Sequence, residues 1–167
     1  MAFWVYSLAA VCLINLLNPF VELWLGSDYV LSIGIVIILV TNLYMRGMRV
    51  PLAVVKGAGG VFDQDKYVPL IESAVNLSAS VLLTQRLGLV GTFLGTLVSS
   101  VFVVSWIRPI IVFKHVFDAP VRPYFAEYLK FGVLVTAEAT AVHLLTRLWS
   151  LEASIPDFLV RLAICLV

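Results

Sequence analysis

Charged side chains are scarce in this sequence. They make up 13% of its 167 residues, about half of the fraction found in a typical soluble domain. Hydrophobic residues make up 62% instead, and a compact globule in water cannot bury that much apolar surface. This excludes a soluble enzyme and a nucleic-acid-binding domain, since a net charge of +1 also gives no basic face for phosphates. We expect most of the chain to be surrounded by lipid.

Cysteines and catalytic motifs are also rare. Cys12 and Cys165 lie in the first and last apolar runs, too far apart in sequence to suggest a disulfide framework or a metal-ligand cluster. The sequence has no HExxH, no GxSxG and no phosphate-binding glycine loop followed by Lys-Ser/Thr. Asp63 and Asp65 have the spacing of a glycosyltransferase metal site, but such a short pattern is weak, and Asp65 near a helix start is typical of a cap. We therefore predict a protein that is not an enzyme and holds no metal or cofactor.

Long apolar runs, in contrast, are abundant. A spanning helix needs about 20 mostly apolar residues, and we predict an all-α integral membrane protein with about six such helices. Their predicted ranges are 2–17, 29–50, 67–83, 90–113, 131–148 and 155–167. Asn18-Pro19 begins the exit from the first helix, and residues 114–130 form the longest polar connection. The sixth run, at roughly 12 residues, is too short to cross, so we expect the chain to be truncated there.

Lys and Arg residues alternate between the predicted connections. The five connections carry 0, 4, 1, 3 and 1 of them: none; Arg46, Arg49, Lys56 and Lys66; Arg86; Lys114, Arg122 and Lys130; and Arg147. Because basic residues favour the cytoplasmic side of a membrane, the first helix should run outward from the cytoplasm. The second and fourth connections are then cytoplasmic.

Two arginines lie near the cytoplasmic end of the second predicted helix. At about 1.5 Å of rise per residue, Arg46 and Arg49 lie roughly 25 and 30 Å beyond Tyr29. They are either interfacial anchors whose charged groups reach water or part of a cavity that attracts an anionic headgroup. Asn42, one turn before Arg46, adds a polar group to the same face.

The third and fourth predicted helices carry two regular patterns. Polar residues recur at every fourth position of the third helix: Glu72, Asn76, Ser80 and Thr84. Small residues recur at the same spacing on the fourth helix: Gly91, Gly95 and Ser99. The small residues predict close helix packing. The polar stripe is satisfied either by a neighbouring helix or by a water-filled lumen.

Glu138, on the fifth predicted helix, is the acidic residue nearest the middle of the membrane. Ionisable residues at that depth are costly and need an explanation. Glu138 is either a protonated, hydrogen-bonded carboxyl, a proton-coupling site, or a partner for Arg46 or Arg49.

The stretch from the second to the fourth helix resembles the C-terminal half of bacterial polysaccharide or oligosaccharide flippases, the transporters of O-antigen and capsule repeat units. These belong to a superfamily that also contains multidrug exporters. The matching residues are Asn42-Leu43-Tyr44, Gly47-Met48-Arg49, Pro51, Gly59-Gly60-Val61-Phe62, Asp65-Lys66-Tyr67, Pro69-Leu70-Ile71-Glu72, Asn76-Leu77, Ser80, Leu83, Gly88, Gly91, Gly95-Thr96 and Ser99.

The resemblance implies a multi-pass protein of the bacterial cytoplasmic membrane with 12–14 helices in two lobes. Residues 1–167 would supply most of the C-terminal lobe, as a fragment that lacks the N-terminal lobe or pairs with another membrane chain. The cargo implied is an undecaprenyl-pyrophosphate-linked oligosaccharide, flipped from the inner to the outer leaflet by alternating access. Arg46 and Arg49 would meet the pyrophosphate, Glu72 and Asn76 would contact the sugar or balance charge, and Glu138 is a candidate coupling residue.

Other functions stay open at this point. The chain could belong to an exporter of amphipathic small molecules, or be a membrane subunit that does not itself transport. A membrane glycosyl polymerase would need catalytic acids outside, where the predicted turns hold only Glu22, Asp28, Glu152 and Asp157. Membrane lipids are expected partners in every case, and nucleic acid in none.

Overall fold

The structure, a computed structural model, describes residues 2–148 and 155–166. Every regular element in those two ranges is helical. The helices are α1 (Ala2–Leu25), α2 (Ile33–Met48), α3 (Val50–Ala58), α4 (Val68–Leu87), α5 (Leu89–Ser99), α6 (Ser105–Val112), α7 (Arg122–Leu148) and α8 (Ile155–Leu166). A 3-10 turn covers Ser27–Tyr29, and π-helical turns cover Ser100–Val104 and Phe113–Phe117.

Three helical stretches of the described chain are long and apolar enough to cross a membrane. They are Phe3–Leu25, Ile33–Ala58 and Leu89–Phe117. Large apolar side chains on them point outward: Trp4, Trp24 and Phe102 are each at least 70% exposed. Water would leave such surfaces sticky, whereas lipid covers them at no cost. Residues 2–148 and 155–166 are thus all-helical in their regular structure, and three helical stretches among them are suited to a membrane.

Two predicted helix ends near the N-terminus are wrong. Helix α1 continues through Asn18 and Pro19 to Leu25, because a proline removes one backbone hydrogen bond without having to end an apolar helix. Asn18 does not end the helix, and its side-chain Nδ2 donates a hydrogen bond to the backbone carbonyl of Leu31 at 2.8 Å. Helix α2 begins at Ile33, four residues later than predicted, since the 3-10 turn occupies the preceding segment.

The long polar connection predicted at 114–130 is also wrong in extent. The fourth predicted helix continues to Phe117 through a π-helical turn, and α7 begins at Arg122. Pro123, at the second position of α7, is favourable because its missing N–H would have no helical partner there. Only residues 118–121 lie between the helices, and the polar segment 122–130 is helical. The predicted outer turn that holds Glu152 lies outside the described residues.

The chain divides into two compact units. The first combines Phe3–Tyr44 with the described residues from Lys130 onward. Within it, the rings of Phe3 and Phe131 pack with their centroids 4.2 Å apart. The thiols of Cys12 and Cys165 are free and within hydrogen-bonding reach of each other. The two cysteines therefore meet in the structure although they lie far apart in the sequence.

The second unit, Met45–Leu129, contains the α4–α5 hairpin. Gly88 joins the two helices with a φ of 59°, in the left-handed region that favours glycine. Its N–H donates to the carbonyl of Thr84 at 2.9 Å, and α4 ends at Leu87, four residues after the predicted end at 83. Helix α6 packs against α3 in the same unit.

Candidate functional site

Arg49 lies at the break between α2 and α3. Pro51 cannot donate a backbone hydrogen bond, which explains a break at the predicted position. The backbone N–H of Arg49 donates to the carbonyl of Arg46 at 3.2 Å. Its side-chain Nε donates to the carbonyl of Met45 at 3.1 Å. The break thus turns the guanidinium back along α2 and fixes it there.

A π-helical turn brings a second element to this guanidinium. The turn begins at Ser100, whose Oγ accepts from Nη2 of Arg49 at 3.3 Å. The Ser100 carbonyl accepts from the backbone N–H of Ser105 and from its Oγ, the latter at 2.8 Å. These two hydrogen bonds pair the Ser100 carbonyl, which the wider π-helical turn would otherwise leave without a donor. The π-helical turn therefore positions Ser100 against Arg49.

Arg49 is deeply buried, with a relative exposure of 9%. Its Nη1 has no hydrogen-bond partner within the described ranges 2–148 and 155–166. A buried donor without an acceptor is costly, and more so when it carries charge. In that part of the chain, Oδ1 of Asp65 and Nε of Arg108 are also buried without a partner, so what distinguishes Arg49 is that it also lines a cavity.

Arg49 lines a cavity of about 310 Å³ in the second unit. One side of it consists of Trp106, Tyr124, Phe125 and Tyr128, which we call the aromatic wall. The rings of Trp106 and Phe125 have centroids 4.9 Å apart, and those of Tyr124 and Tyr128 are 6.0 Å apart. Aliphatic side chains line most of the remaining surface: Met45, Val101 and Leu129.

The two tyrosines of the aromatic wall stay neutral. They lie before the predicted span that begins near Phe131, and burial raises the pKa of Tyr124 to about 12. Burial also raises the pKa of Tyr128 above its ordinary value. Both phenols are therefore protonated near pH 7 and cannot neutralise the Arg49 charge.

Arg108 and Glu72 form an ion pair close to this cavity. Nη2 of Arg108 lies 3.2 Å from Oε2 of Glu72, and each side chain is a little under one-third exposed. Glu72 attracts the Arg49 charge and Arg108 opposes it. With one carboxylate and two guanidinium groups, this cluster keeps one unneutralised positive charge.

The polar stripe on α4 packs against α5. Asn76 Nδ2 donates to Ser99 Oγ at 3.1 Å. The hydroxyls of Thr84 and Thr92 are 2.9 Å apart. Of the two interpretations of this stripe, helix packing accounts for these contacts.

The ridge of small residues on α5 has the predicted role. A Cβ added at Gly91 would collide with the backbone of Leu83. One added at Gly95 would meet the Cα of Ser80 at 2.6 Å. Only glycine allows the two backbones to approach so closely.

The other predicted site residues lie elsewhere. Arg46 is exposed and is not among the residues that line the cavity of Arg49. Glu138 is exposed on α7, in the first unit. Asp65 does not cap α4 with its side chain; it is buried and forms an ion pair with Lys56. No group of three or more His, Cys, Asp or Glu in the described part of the chain could hold a metal ion.

The aromatic wall was not predicted from the sequence. A signal was nevertheless present, since Tyr124 and Tyr128 are four residues apart and follow Pro123, a frequent residue in the first turn of a helix.

Comparisons with protein-family models, with curated proteins and with solved structures find no match to this chain. The function has to be argued from the geometry and from the sequence resemblance.

Proposed function

We propose that this chain forms one lobe of a transporter that flips an undecaprenyl-pyrophosphate-linked oligosaccharide from the inner to the outer leaflet. The lobe comprises about six membrane-spanning helices in the bacterial cytoplasmic membrane, and it acts by alternating access with a second lobe. The resemblance to polysaccharide flippases supports this cargo.

The buried Arg49 is the observation that carries the proposal. It lies at the cytoplasmic end of the helix predicted over 29–50, where a lipid headgroup in the inner leaflet would be within reach, although the apolar helical stretch of the structure continues to Ala58. Arg49 is the one charged residue that lines the cavity, and a guanidinium is suited to charge-assisted hydrogen bonds with phosphate oxygens. An interfacial anchor would instead expose its charge to water, as Arg46 does.

Glu72 and Asn76 have supporting roles in this proposal. Glu72 holds Arg108 and limits the positive charge near the cavity. Asn76 ties α4 to α5 through Ser99. Glu138 keeps the role of candidate coupling residue, because an acidic residue near the middle of a membrane is costly and is often retained for a function.

The size of the cavity favours a second candidate function. Sites for small molecules have volumes of about 300–1,000 Å³, and this one is near the lower limit. An exporter of small amphipathic anions would also use a cationic, aromatic-lined cavity. It would transport such anions in the absence of any lipid-linked sugar.

Flipping in proteoliposomes tests the proposal. The chain is reconstituted alone and with any helices encoded in frame upstream, and a fluorescent lipid-linked oligosaccharide is added to one leaflet. Arg49→Gln should slow its appearance in the other leaflet about 10-fold or more, the value of one lost charge-assisted hydrogen bond. Arg86→Gln, which removes an exposed arginine at the far end of α4, is the matched control. Equal rates for wild type and Arg49→Gln would contradict the proposal, and transport of small anions alone would favour the exporter.

A further inference from the structure

Cys12 and Cys165 are the two cysteines of the chain, and both belong to the first unit. Their thiols are free, and they lie within hydrogen-bonding reach of each other between α1 and α8. A disulfide forms without backbone movement only where two cysteine side chains already approach each other closely. The fold therefore brings together the two groups that such a bond requires, although most of the chain separates them in the sequence.

The two sulfurs differ in accessibility. Cys165 is buried, with a relative exposure of 6%, whereas Cys12 is partly exposed. The residues that precede Cys12, Ala10 and Val11, are buried and apolar. A reagent that approaches α1 would therefore reach Cys12 first. Cys165 would then be the thiol that attacks the Cys12 sulfur and closes the disulfide.

The position of Cys12 along α1 determines which oxidants can reach it. The stretch Phe3–Leu25 is long and apolar enough to cross a membrane. At about 1.5 Å of rise per residue, Cys12 lies roughly 15 Å from the start of α1, or about half of the hydrocarbon thickness. Charged oxidants such as glutathione disulfide are disfavoured at that depth. Quinones dissolve in lipid, carry no charge, and accept two electrons together with two protons.

We infer that Cys12 and Cys165 form a redox-active dithiol, which a quinone dissolved in the membrane oxidises to a disulfide that joins α1 to α8. The Cys12 sulfur bonds to the quinone ring, and its proton moves to a quinone oxygen. The Cys165 sulfur then attacks the Cys12 sulfur, so that the S–S bond forms as the bond to the ring breaks. The ring leaves as a quinol with both electrons and both thiol protons. This inference does not depend on the cargo named in the proposed function.

Oxidation of the reduced full chain in lipid vesicles tests the inference. Duroquinone serves as the oxidant in the absence of oxygen, because all of its ring positions are substituted and no stable thioether forms. We expect one quinol for each pair of thiols lost, and a product that migrates as a single chain on non-reducing gels. Glutathione disulfide at the same concentration should react about 10-fold more slowly or less, because its charges keep it out of the hydrocarbon.

Variants test whether the position of the thiols matters. Cys12→Ser and Cys165→Ser each leave one thiol and should form no quinol. Ala163→Cys combined with Cys165→Ser keeps two thiols but moves the second to an exposed position of α8. Side chains two residues apart point to nearly opposite sides of a helix, so this variant should react about 10-fold more slowly or less. Near-identical circular dichroism spectra of all variants establish that they fold.

Four results would overturn the inference. They are two free thiols that persist in excess duroquinone, a disulfide between two chains rather than within one, equal rates for the wild type and the variant with the relocated thiol, and equal rates with duroquinone and glutathione disulfide. The last result would show that the thiols are reached from water rather than from lipid.

Discussion

The second unit contains two polar regions that differ in whether all their hydrogen-bonding groups have partners. Between α4 and α5, the amide of Asn76 and the hydroxyls of Thr84 and Thr92 pair across the helix contact. At the cavity, Arg49 is more deeply buried than Asn76, Thr84 and Thr92, but one of its donors is unpaired. Polar residues in a membrane helix are therefore not equivalent. Those paired across helices stabilise the fold, whereas Arg49 keeps an unpaired donor beside a cavity.

The largest expected effect comes from breaking the α4–α5 contact at its closest point. Gly95→Leu would force a side chain into the backbone of Ser80, so the helices would have to separate. We expect the free energy of unfolding in detergent to fall by about 3 kcal/mol or more, the upper range for overpacked sites.

Gly132→Leu is the matched control for that change. Gly132 is also helical, but a Cβ there would meet nothing within 4 Å, so it should be tolerated. Equal destabilisation by the two substitutions, measured by thermal unfolding, would show that α4 and α5 do not pack as described.

An intermediate effect, with opposite signs in the two regions, should follow from replacing a polar side chain by an apolar one of similar length. Arg49→Met removes a buried charge that has an unpaired donor, and we expect it to raise the free energy of unfolding by about 1 kcal/mol without ligand. Asn76→Leu removes the hydrogen bond that Asn76 donates to Ser99 and should lower the free energy of unfolding by about 1 kcal/mol. If Arg49→Met destabilises the protein as Asn76→Leu does, Arg49 is a structural residue and the contrast between the regions disappears.

The smallest effect is expected at the end of the polar contact nearest the hairpin turn. Thr84→Val keeps the shape of the side chain and removes one hydroxyl from the pair with Thr92. Interhelical hydrogen bonds in membrane proteins contribute about 0.6 kcal/mol, so a loss near that value is expected. A double-mutant cycle with Thr92→Val measures the coupling directly. A coupling energy of zero would mean that the two hydroxyls do not interact.

The sequence was informative where a pattern repeats within one helix or across one turn. The spacing of four along α5 was enough to predict that another helix packs closely against it, although not that α4 is that helix. Composition was equally sufficient to predict an all-helical chain suited to lipid. These signals are local, so they do not depend on knowing which distant residues meet.

The cavity could not be predicted in the same way, because its lining comes from three separate segments of the second unit. The polar residues of 122–130 suggested a loop, and only their packing explains why this segment is helical: Tyr124 and Phe125 lie against Phe113 and Trp106. Hydropathy also gives no sign of the π-helical turn at Ser100, which brings its hydroxyl to Arg49.

Gly91 and Gly95 have a mechanical consequence. Two helices whose backbones touch cannot slide along each other without losing that contact. The α4–α5 hairpin therefore behaves as a rigid element. Bending in the second unit is easiest where the helical ladder is already interrupted, at Arg49 and at the turn that begins with Ser100. Both interruptions lie beside the same cavity. A ligand bound there would therefore lie next to the places where the unit bends most easily.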